Sequence, residues 1–177
     1  GKGHSPVARG KEHYTMTEGN HEILAKLYED VFSHYDCVVI GEAPGSTIEG
    51  GKRFIDNKEL DMFFSFEHVD IGKVLGGAFH RKTNPTKLRK ILFAYQEGLP
   101  WNALYFENHD QRRFIERLPG YPEYRFPIAK ATMALLLTLR GSPFIFQGQE
   151  LGIANGPKVD FGQSRDCAVA SVAKVGR

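Results

Sequence analysis

Four short apolar runs punctuate the chain, and none of them alternates between apolar and polar positions. They are CVVIGE (37–42), MFFSFEH (62–68), NALYFENHD (102–110) and SPFIFQGQE (142–150). A strand that is exposed on one face alternates, whereas a strand that is covered on both faces is apolar almost throughout. We therefore predict four strands that are buried on both faces, as in a parallel sheet.

Helical periodicity fills the intervals between these runs. Apolar residues recur at helical spacing in three segments, and more weakly in a fourth: residues 20–32, 84–99, 126–141 and, weakly, 48–60. Asn20 and Asn84 are candidate N-caps, and Pro85 suits the first position of a helix because its missing N–H has no helical partner there. Alternation of helices with strands predicts βαβ units and a parallel sheet, which is an α/β fold.

Each predicted strand ends in polar side chains rather than in a turn signal. These groups are Glu42 after the first strand, Glu67 and His68 after the second, Asn108, His109 and Asp110 after the third, and Gln147, Gln149 and Glu150 after the fourth. The carboxyl ends of parallel strands meet on one face, where barrels and doubly wound sheets bind their ligands. No run is followed by a G-x-G-x-x-G loop, so we predict no dinucleotide cofactor.

Composition narrows the classes of partner. The 177 residues are 41% hydrophobic and 25% charged, with a formal net charge of +2, as in an ordinary globular domain. That charge is too small to predict nucleic acid or an anionic membrane as the main partner, and no apolar stretch approaches the roughly 18 residues that span a bilayer. The two cysteines, Cys37 and Cys167, predict no disulfide framework. Cys37 lies in an apolar run, so we expect a buried thiol.

Two of the carboxylates at the strand ends suit acid–base chemistry on a neutral polar substrate. Glu42 follows an apolar strand, and partial desolvation there would raise its pKa and let it donate a proton near neutrality. Asp110 is flanked by His109 and followed by Arg112 and Arg113, so we expect it to remain ionised. Two carboxyl groups whose surroundings push their pKa values apart are used in glycosidic bond cleavage. The alternative is that each carboxylate caps a helix or pairs with an arginine.

Metal binding has less support in the sequence. The pairs in EH (67–68) and NHD (108–110) are not at metal-ligand spacings, and no H-E-x-x-H occurs. We expect the remaining histidines to be surface residues: His4, His13, His21, His34 and His80. We therefore predict no metal site.

Four motifs together resemble the second half of the catalytic barrel of the α-amylase superfamily. They are VVIGEAPGST (38–47), FSFEH (64–68), WNALYFENHDQRR (101–113) and GSPFIFQGQELG (141–152). The group that they resemble most is that of the oligo-1,6-glucosidases and α-glucosidases. The resemblance runs from about residue 14 to residue 166. It implies a partial (β/α)₈ TIM barrel of strands five to eight with their helices, as a domain over residues 1–166 with an unassigned tail at 167–177.

The resemblance also implies roles for individual residues. Glu42 matches the family's general acid/base, and Asp110 matches the carboxylate that stabilises the oxocarbenium-like transition state. The residues that it places in contact with substrate are His109, Asn108, Arg113, Arg117, Phe66 and Glu67, with His68 beside them at the entrance. The implied substrate is a short α-linked gluco-oligosaccharide, and the implied location is the cytoplasm.

Two departures from the family pattern shape the prediction. Arg112 stands where members usually have proline, so we expect a different shape for the loop after Asp110. No segment resembles the family's strand with the aspartate nucleophile, so we expect a fragment that is inactive alone and self-associates through exposed barrel edges. Two alternatives remain at this stage, namely a non-catalytic amylase-like scaffold and a sugar-binding module without hydrolytic activity.

Overall fold

The computed structural model describes residues 13, 15–74 and 79–156. Its helices are α1 (Glu18–Asp30), α2 (Ile48–Asp56), α3 (Pro85–Gly98), α4 (Phe114–Arg117) and α5 (Arg125–Thr138), with a single 3₁₀ turn at Phe32–His34. Its strands are β1 (Ile40–Glu42), β2 (Met62–Phe64), β3 (Lys73–Val74), β4 (Phe79–His80), β5 (Ala103–Leu104) and β6 (Ser142–Pro143). His4, Cys167 and the tail at 167–177 lie outside the described residues.

The four predicted strands are present, and they run parallel in neighbouring pairs. β1 pairs with β2 in the register Ile40 to Met62, and β5 pairs with β6 in the register Ala103 to Ser142. β2 lies beside β5, where the Tyr105 hydroxyl donates to the carbonyl oxygen of Ser65 at 2.8 Å. The predicted α/β fold with parallel strands is thus confirmed, although every strand is shorter than its apolar run. The β3–β4 hairpin is antiparallel and was not predicted.

Burial differs between the strands. Ala103 and Leu104 of β5 are buried, as predicted for a strand covered on both faces. For β1 this prediction is wrong among the described residues, because Ile40 is 39% exposed. The expected burial of the Cys37 thiol is also wrong, since Cys37 is exposed. An apolar run alone therefore did not report which faces are covered.

Three helices begin at polar caps. The hydroxyl oxygens of Thr17 and Thr47 accept from backbone N–H groups at the starts of α1 and α2, and the side chain of Asn84 accepts from the N–H of Lys87 at the start of α3. The predicted Asn84 cap is confirmed. The predicted Asn20 cap is wrong, because α1 begins earlier and Asn20 instead donates its N–H to Thr17.

The core lies between the strands and helices α2, α3 and α5. The buried face of α3 presents Leu88, Ile91 and Tyr95 at helical spacing, as the sequence predicted. α2 approaches β2 so closely that a side chain at Gly51 would collide with the ring of Phe63. Packing of the helices against the strands fixes the strand ends, and these carry the polar groups.

A buried hydrogen bond between two side chains links α1 to the loop before β2. Nδ1 of His21 lies 2.6 Å from Oε2 of Glu59, and Oε1 of Glu59 accepts from the Asn57 amide at 3.0 Å. The His21 ring stacks on Phe54 with centroids 4.4 Å apart. His21 is therefore buried, and the prediction that it is a surface residue is wrong. The sequence does not reveal this contact, because Glu59 lies 38 positions further along the chain.

Candidate active site

The polar ends of the parallel strands surround one cavity of about 280 Å³. Its walls come from the carboxyl ends of β1, β2, β5 and β6, and they comprise Glu42, Phe64, Tyr105, Glu107, Asn108, His109, Phe144, Ile145 and Phe146. The structure thus brings together Glu42, Asn108 and His109 out of the predicted site residues. Asp110 follows His109 directly, and Oδ2 of Asp110 lies 3.3 Å from Nε2 of His109.

A tight turn presents His109 and Asp110. Oδ1 of Asn108 accepts the backbone N–H of Asp110 at 3.0 Å, and its carbonyl oxygen accepts the N–H of Gln111 at 3.2 Å. An asparagine side chain that bonds the backbone two residues on mimics a backbone turn. Both His109 and Asp110 are exposed as a result, at 77% and 59% of their side chains. They are open to a ligand in solvent.

The opposite part of the cavity wall is aromatic. Phe64 packs edge-on against Tyr105 and Phe144, with centroid distances of 5.3 and 4.7 Å. The Tyr105 hydroxyl is bonded to the Ser65 carbonyl, and burial, with a smaller effect of the Asp70 and Glu42 carboxylates, raises the pKa of Tyr105. Tyr105 therefore stays neutral and supplies a ring face to the cavity rather than an acid.

Glu42 projects from the last residue of β1 into this cavity. Glu42 is exposed, so the described residues do not desolvate its carboxyl group as the apolar run predicted. The carboxyl group nevertheless borders the same space as Asn108 and His109. The arrangement combines carboxylates, an amide, an imidazole and aromatic faces, which suits a neutral ligand with many hydroxyl groups.

His68 is buried and does not line the entrance, contrary to the expectation. Its Nε2 lies 2.6 Å from the carbonyl oxygen of Tyr105, and its ring packs edge-on against the Tyr105 ring at 4.9 Å. Burial lowers the pKa of His68 from 6.5 to about 4, against an opposing effect of the bond to Tyr105. His68 is thus a neutral donor that holds the ends of β2 and β5 together.

Arg113 is engaged by the protein itself. Its guanidinium donates to Oε1 of Glu107 at 2.7 Å and to the carbonyl oxygen of Gln147 at 2.9 Å. It also lies over the ring of Phe146, 4.6 Å from the centroid. In this structure the guanidinium of Arg113 is thus bonded within the protein, and its direct contact with substrate stays a prediction.

Arg117 is also bonded within the protein, and its contact with substrate stays a prediction. It is 4% exposed, and its Nη2 donates to the carbonyl oxygens of Val69 and Ile71 at 2.5 and 3.3 Å. Burial lowers the pKa of Arg117, and nearby Asp70 partly offsets this effect. Arg117 is not among the residues that line the cavity of Glu42.

Phe66 and Glu67 stand apart from Glu42. Glu67 is exposed and borders a second, open cavity of about 610 Å³ beside the start of α2. Phe66 touches Tyr105 edge-on at a centroid distance of 6.3 Å, but it does not border the cavity that holds Glu42. The structure therefore does not bring these two predicted residues into the candidate site.

Sequence reasoning missed the aromatic wall and the buried carboxylate of Glu107. Phe64, Phe144 and Phe146 are predicted only as strand residues, although their positions beside the polar strand ends are a usable signal.

In the described part of the chain no group of three or more His, Cys, Asp or Glu side chains is placed to hold a metal ion. No described helix is long and apolar enough to cross a bilayer.

Comparison with known proteins supplies a family context for this cavity. The family model described as alpha amylase, catalytic domain, matches residues 3–176. The oligo-1,6-glucosidase of Heyndrickxia coagulans is 40% identical over an aligned length of 144 residues, and the alignment covers 76% of this chain and 26% of that protein. The oligo-1,6-glucosidase of Bacillus cereus is 35% identical over an aligned length of 175 residues, and the alignment covers 93% of this chain and 31% of that protein.

Solved structures agree with the sequence matches. The crystal structure of Bacillus licheniformis trehalose-6-phosphate hydrolase superposes with a TM-score of 0.81 at 32% identity, covering 97% of this chain and 32% of that one. The trehalulose synthase of Pseudomonas mesoacidophila superposes with a TM-score of 0.75 at 32% identity, covering 82% of this chain and 27% of that one. The chain thus spans about a third or less of the length of these relatives.

Proposed function

Because this chain belongs to the α-amylase catalytic domain family, we propose that it forms part of a retaining α-glucosidase and carries the acid/base of that enzyme. Glu42 is the general acid that protonates the leaving glycosidic oxygen, and it then serves as the base that activates water. Asp110 is the carboxylate that stabilises the positive charge of the transition state. Asn108 and His109 bind hydroxyl groups of the sugar beside Asp110.

The observation that supports this proposal is the shared cavity of Glu42, Asn108 and His109, with Asp110 adjacent to His109. A general acid must reach the leaving oxygen while a second carboxylate faces the developing charge on the sugar ring. Side chains at the carboxyl ends of parallel strands meet this requirement because the ends converge on one face. The aromatic wall adds an apolar surface against which a sugar ring can pack.

The nucleophile, in this proposal, belongs to a part of the enzyme other than these 177 residues. A retaining mechanism needs a nucleophilic carboxylate about 5–5.5 Å from the acid/base. The parallel strands β1, β2, β5 and β6 then correspond to strands five to eight of the barrel, within a domain that includes residues 1–166. The predicted self-association and cytoplasmic location belong to the same proposal.

Short α-linked gluco-oligosaccharides are the proposed substrates, without a cofactor. This class follows from the names of the relatives, which include oligo-1,6-glucosidases and trehalose-6-phosphate hydrolases. The cavity itself is lined by neutral and acidic groups and by one imidazole, which suits hydroxyl-rich sugars. Bond preference among α-1,6, α-1,4 and phosphorylated disaccharides is a matter for assay.

The proposal is tested by assaying the protein expressed from its complete reading frame on isomaltose, maltose and 4-nitrophenyl α-glucoside. We expect turnover of at least one of them with retention of the α configuration at the anomeric carbon, followed by proton NMR. We expect Glu42→Gln to reduce turnover of isomaltose and maltose at least about 100-fold while the circular dichroism spectrum stays unchanged. Absence of turnover together with sugar binding by calorimetry would instead favour the binding module, and absence of both would favour the scaffold.

A further inference from the structure

We propose that Glu107 and Arg113 form a clamp that positions the loop carrying Asn108, His109 and Asp110. Glu107 borders the cavity, but both of its carboxylate oxygens are bonded within the protein, so we assign Glu107 and Arg113 as positioning residues rather than sugar ligands. The inference rests on the proposed function for its catalytic consequence. Its structural part, the ordering of the loop, stands independently of that function.

The clamp begins at a buried carboxylate. The Glu107 side chain is 2% exposed, and each of its oxygens has a donor. Oε1 accepts from Nη1 of Arg113 at 2.7 Å, and Oε2 accepts from the backbone N–H of Phe114 at 2.6 Å. Both bonds are charge-assisted and short, which makes them strong and directional. They close a ring around the residues between Glu107 and Phe114, and this segment includes Asn108, His109 and Asp110.

Arg113 extends the clamp to the neighbouring strand end. Its Nη2 donates to the Gln147 carbonyl oxygen in the loop after β6, and its guanidinium lies over the Phe146 ring. The backbone N–H of Arg113 donates to Oδ1 of Asn155, 3.2 Å away. Three attachments thus join the loop after β5 to the loop after β6. Phe146 lines the cavity, so the clamp also fixes one wall of the site.

The planar guanidinium suits this role in a way that an ammonium does not. A guanidinium donates from two nitrogen atoms in fixed directions and stacks on an aromatic face at the same time. A lysine at position 113 keeps the positive charge, but its single nitrogen lacks the two separate donor atoms and the planar face with which Arg113 bonds Glu107 and Gln147 and lies over Phe146. Displacement of a reacting group by about 1 Å can reduce the rate about 100-fold. The loop ends in Asp110, so its placement depends on the clamp.

The experiment compares Arg113→Lys and Glu107→Gln with the matched control Arg112→Lys in the protein expressed from its complete reading frame. Arg112 is the adjacent arginine, and 55% of its side chain is exposed. Hydrogen exchange of the Asp110 and Gln111 amides reports loop order without reference to activity, because both amides are bonded to Asn108. We expect exchange at these two amides to rise at least tenfold in both clamp variants and to stay unchanged in the control.

Activity gives the second measurement. We expect kcat on the best substrate to fall about 10- to 100-fold in each clamp variant, with KM changed less than threefold. The double variant should lose little more than either single variant, because the two residues act as one unit. Unchanged exchange in the clamp variants would overturn the proposal, as would kcat within twofold of wild type accompanied only by a lower Tm. If the wild type hydrolyses no α-glucoside, the proposed function fails, and the exchange measurement alone decides on the clamp.

Discussion

Nε2 of His68 lies 2.6 Å from the carbonyl oxygen of Tyr105, and in return the Tyr105 hydroxyl donates to the carbonyl oxygen of Ser65. A carbonyl oxygen only accepts, so Nε2 of His68 carries the proton. Among the described residues, β2 and β5 belong to separate hydrogen-bonded pairs. These two side-chain bonds therefore join the halves of the parallel array just where its strands enter the candidate site.

The buried, neutral state of His68 predicts a dependence of stability on pH. In the unfolded chain His68 takes up a proton near pH 6.5, whereas in the folded protein it does so near pH 4. The contribution of His68 to the free energy of unfolding is therefore complete above about pH 6.5 and is lost as the pH falls towards 4. The full loss is about 3 kcal/mol for this difference in pKa.

Urea unfolding at several values of pH between 7 and 4 measures this effect. His68→Gln is the matched variant, because its amide can donate to the Tyr105 carbonyl oxygen but does not titrate. We expect the free energy of unfolding of the wild type to fall more steeply with acid than that of His68→Gln. Parallel curves for the two proteins would show that His68 is not held neutral by burial.

Removal of the buried ring of Phe106 should lower the free energy of unfolding. Phe106 is 1% exposed, and its ring stacks on Phe114 with centroids 4.6 Å apart. Phe106→Ala leaves a cavity against Phe114, and we expect a loss of about 3–5 kcal/mol in the free energy of unfolding. Phe93→Ala is the control, since Phe93 on α3 is 58% exposed. A loss below about 1 kcal/mol for Phe106→Ala would contradict tight packing of this ring.

The sequence predicted the elements better than their surroundings. Helix α3 was predicted over residues 84–99 and is Pro85–Gly98, because a local cap, a proline and an apolar stripe determine it. The strands were predicted too long: residues 102–110 gave only Ala103–Leu104. In this run residues 102–107 are buried, yet ladder bonding ends at Leu104, so burial extends further along the chain than the strand does. The turn at Asn108 follows these buried residues and presents the exposed His109 and Asp110.

Contacts between distant parts of the chain were beyond sequence reasoning. His21 looked like a surface residue on a polar helix until the structure paired it with Glu59. Arg117 looked suitable for a ligand, yet it bonds the backbone at Val69 and Ile71. Convergence of the strand ends was predictable because parallel strands share one direction. The partner of each charged side chain was not, because it depends on tertiary packing.

Loss of the Asp110 charge should slow hydrolysis regardless of the leaving group, unlike loss of the Glu42 charge. Asp110 stabilises charge on the sugar ring in the proposed mechanism, whichever group leaves. We expect Asp110→Asn to reduce kcat about 100- to 1,000-fold, as for removal of a transition-state contact, on isomaltose and on 4-nitrophenyl α-glucoside alike. The exposed position of Asp110 should leave Tm within a few degrees of the wild type. A loss confined to one of the two substrates would assign Asp110 to recognition of the leaving group instead.

The 177-residue chain alone should lack hydrolytic activity. In the proposed mechanism it has an acid/base and a charge-stabilising carboxylate but no nucleophile, so no glycosyl–enzyme intermediate can form. We expect turnover of 4-nitrophenyl α-glucoside by the purified chain to be indistinguishable from that of its Glu42→Gln variant. Turnover by the chain that Glu42→Gln abolishes would contradict this prediction and would require a nucleophile within these residues.

The dependence of the Glu42→Gln effect on the leaving group tests the central claim most directly. In the protein expressed from its complete reading frame, isomaltose needs a proton on its leaving oxygen, whereas α-glucosyl fluoride leaves with little assistance. We expect Glu42→Gln to reduce kcat/KM on isomaltose about 100- to 10,000-fold but on the fluoride by less than about tenfold, with the exposed control Glu22→Gln active on both. An equal effect on the two substrates, or none on isomaltose, would contradict the assignment of Glu42 as the acid.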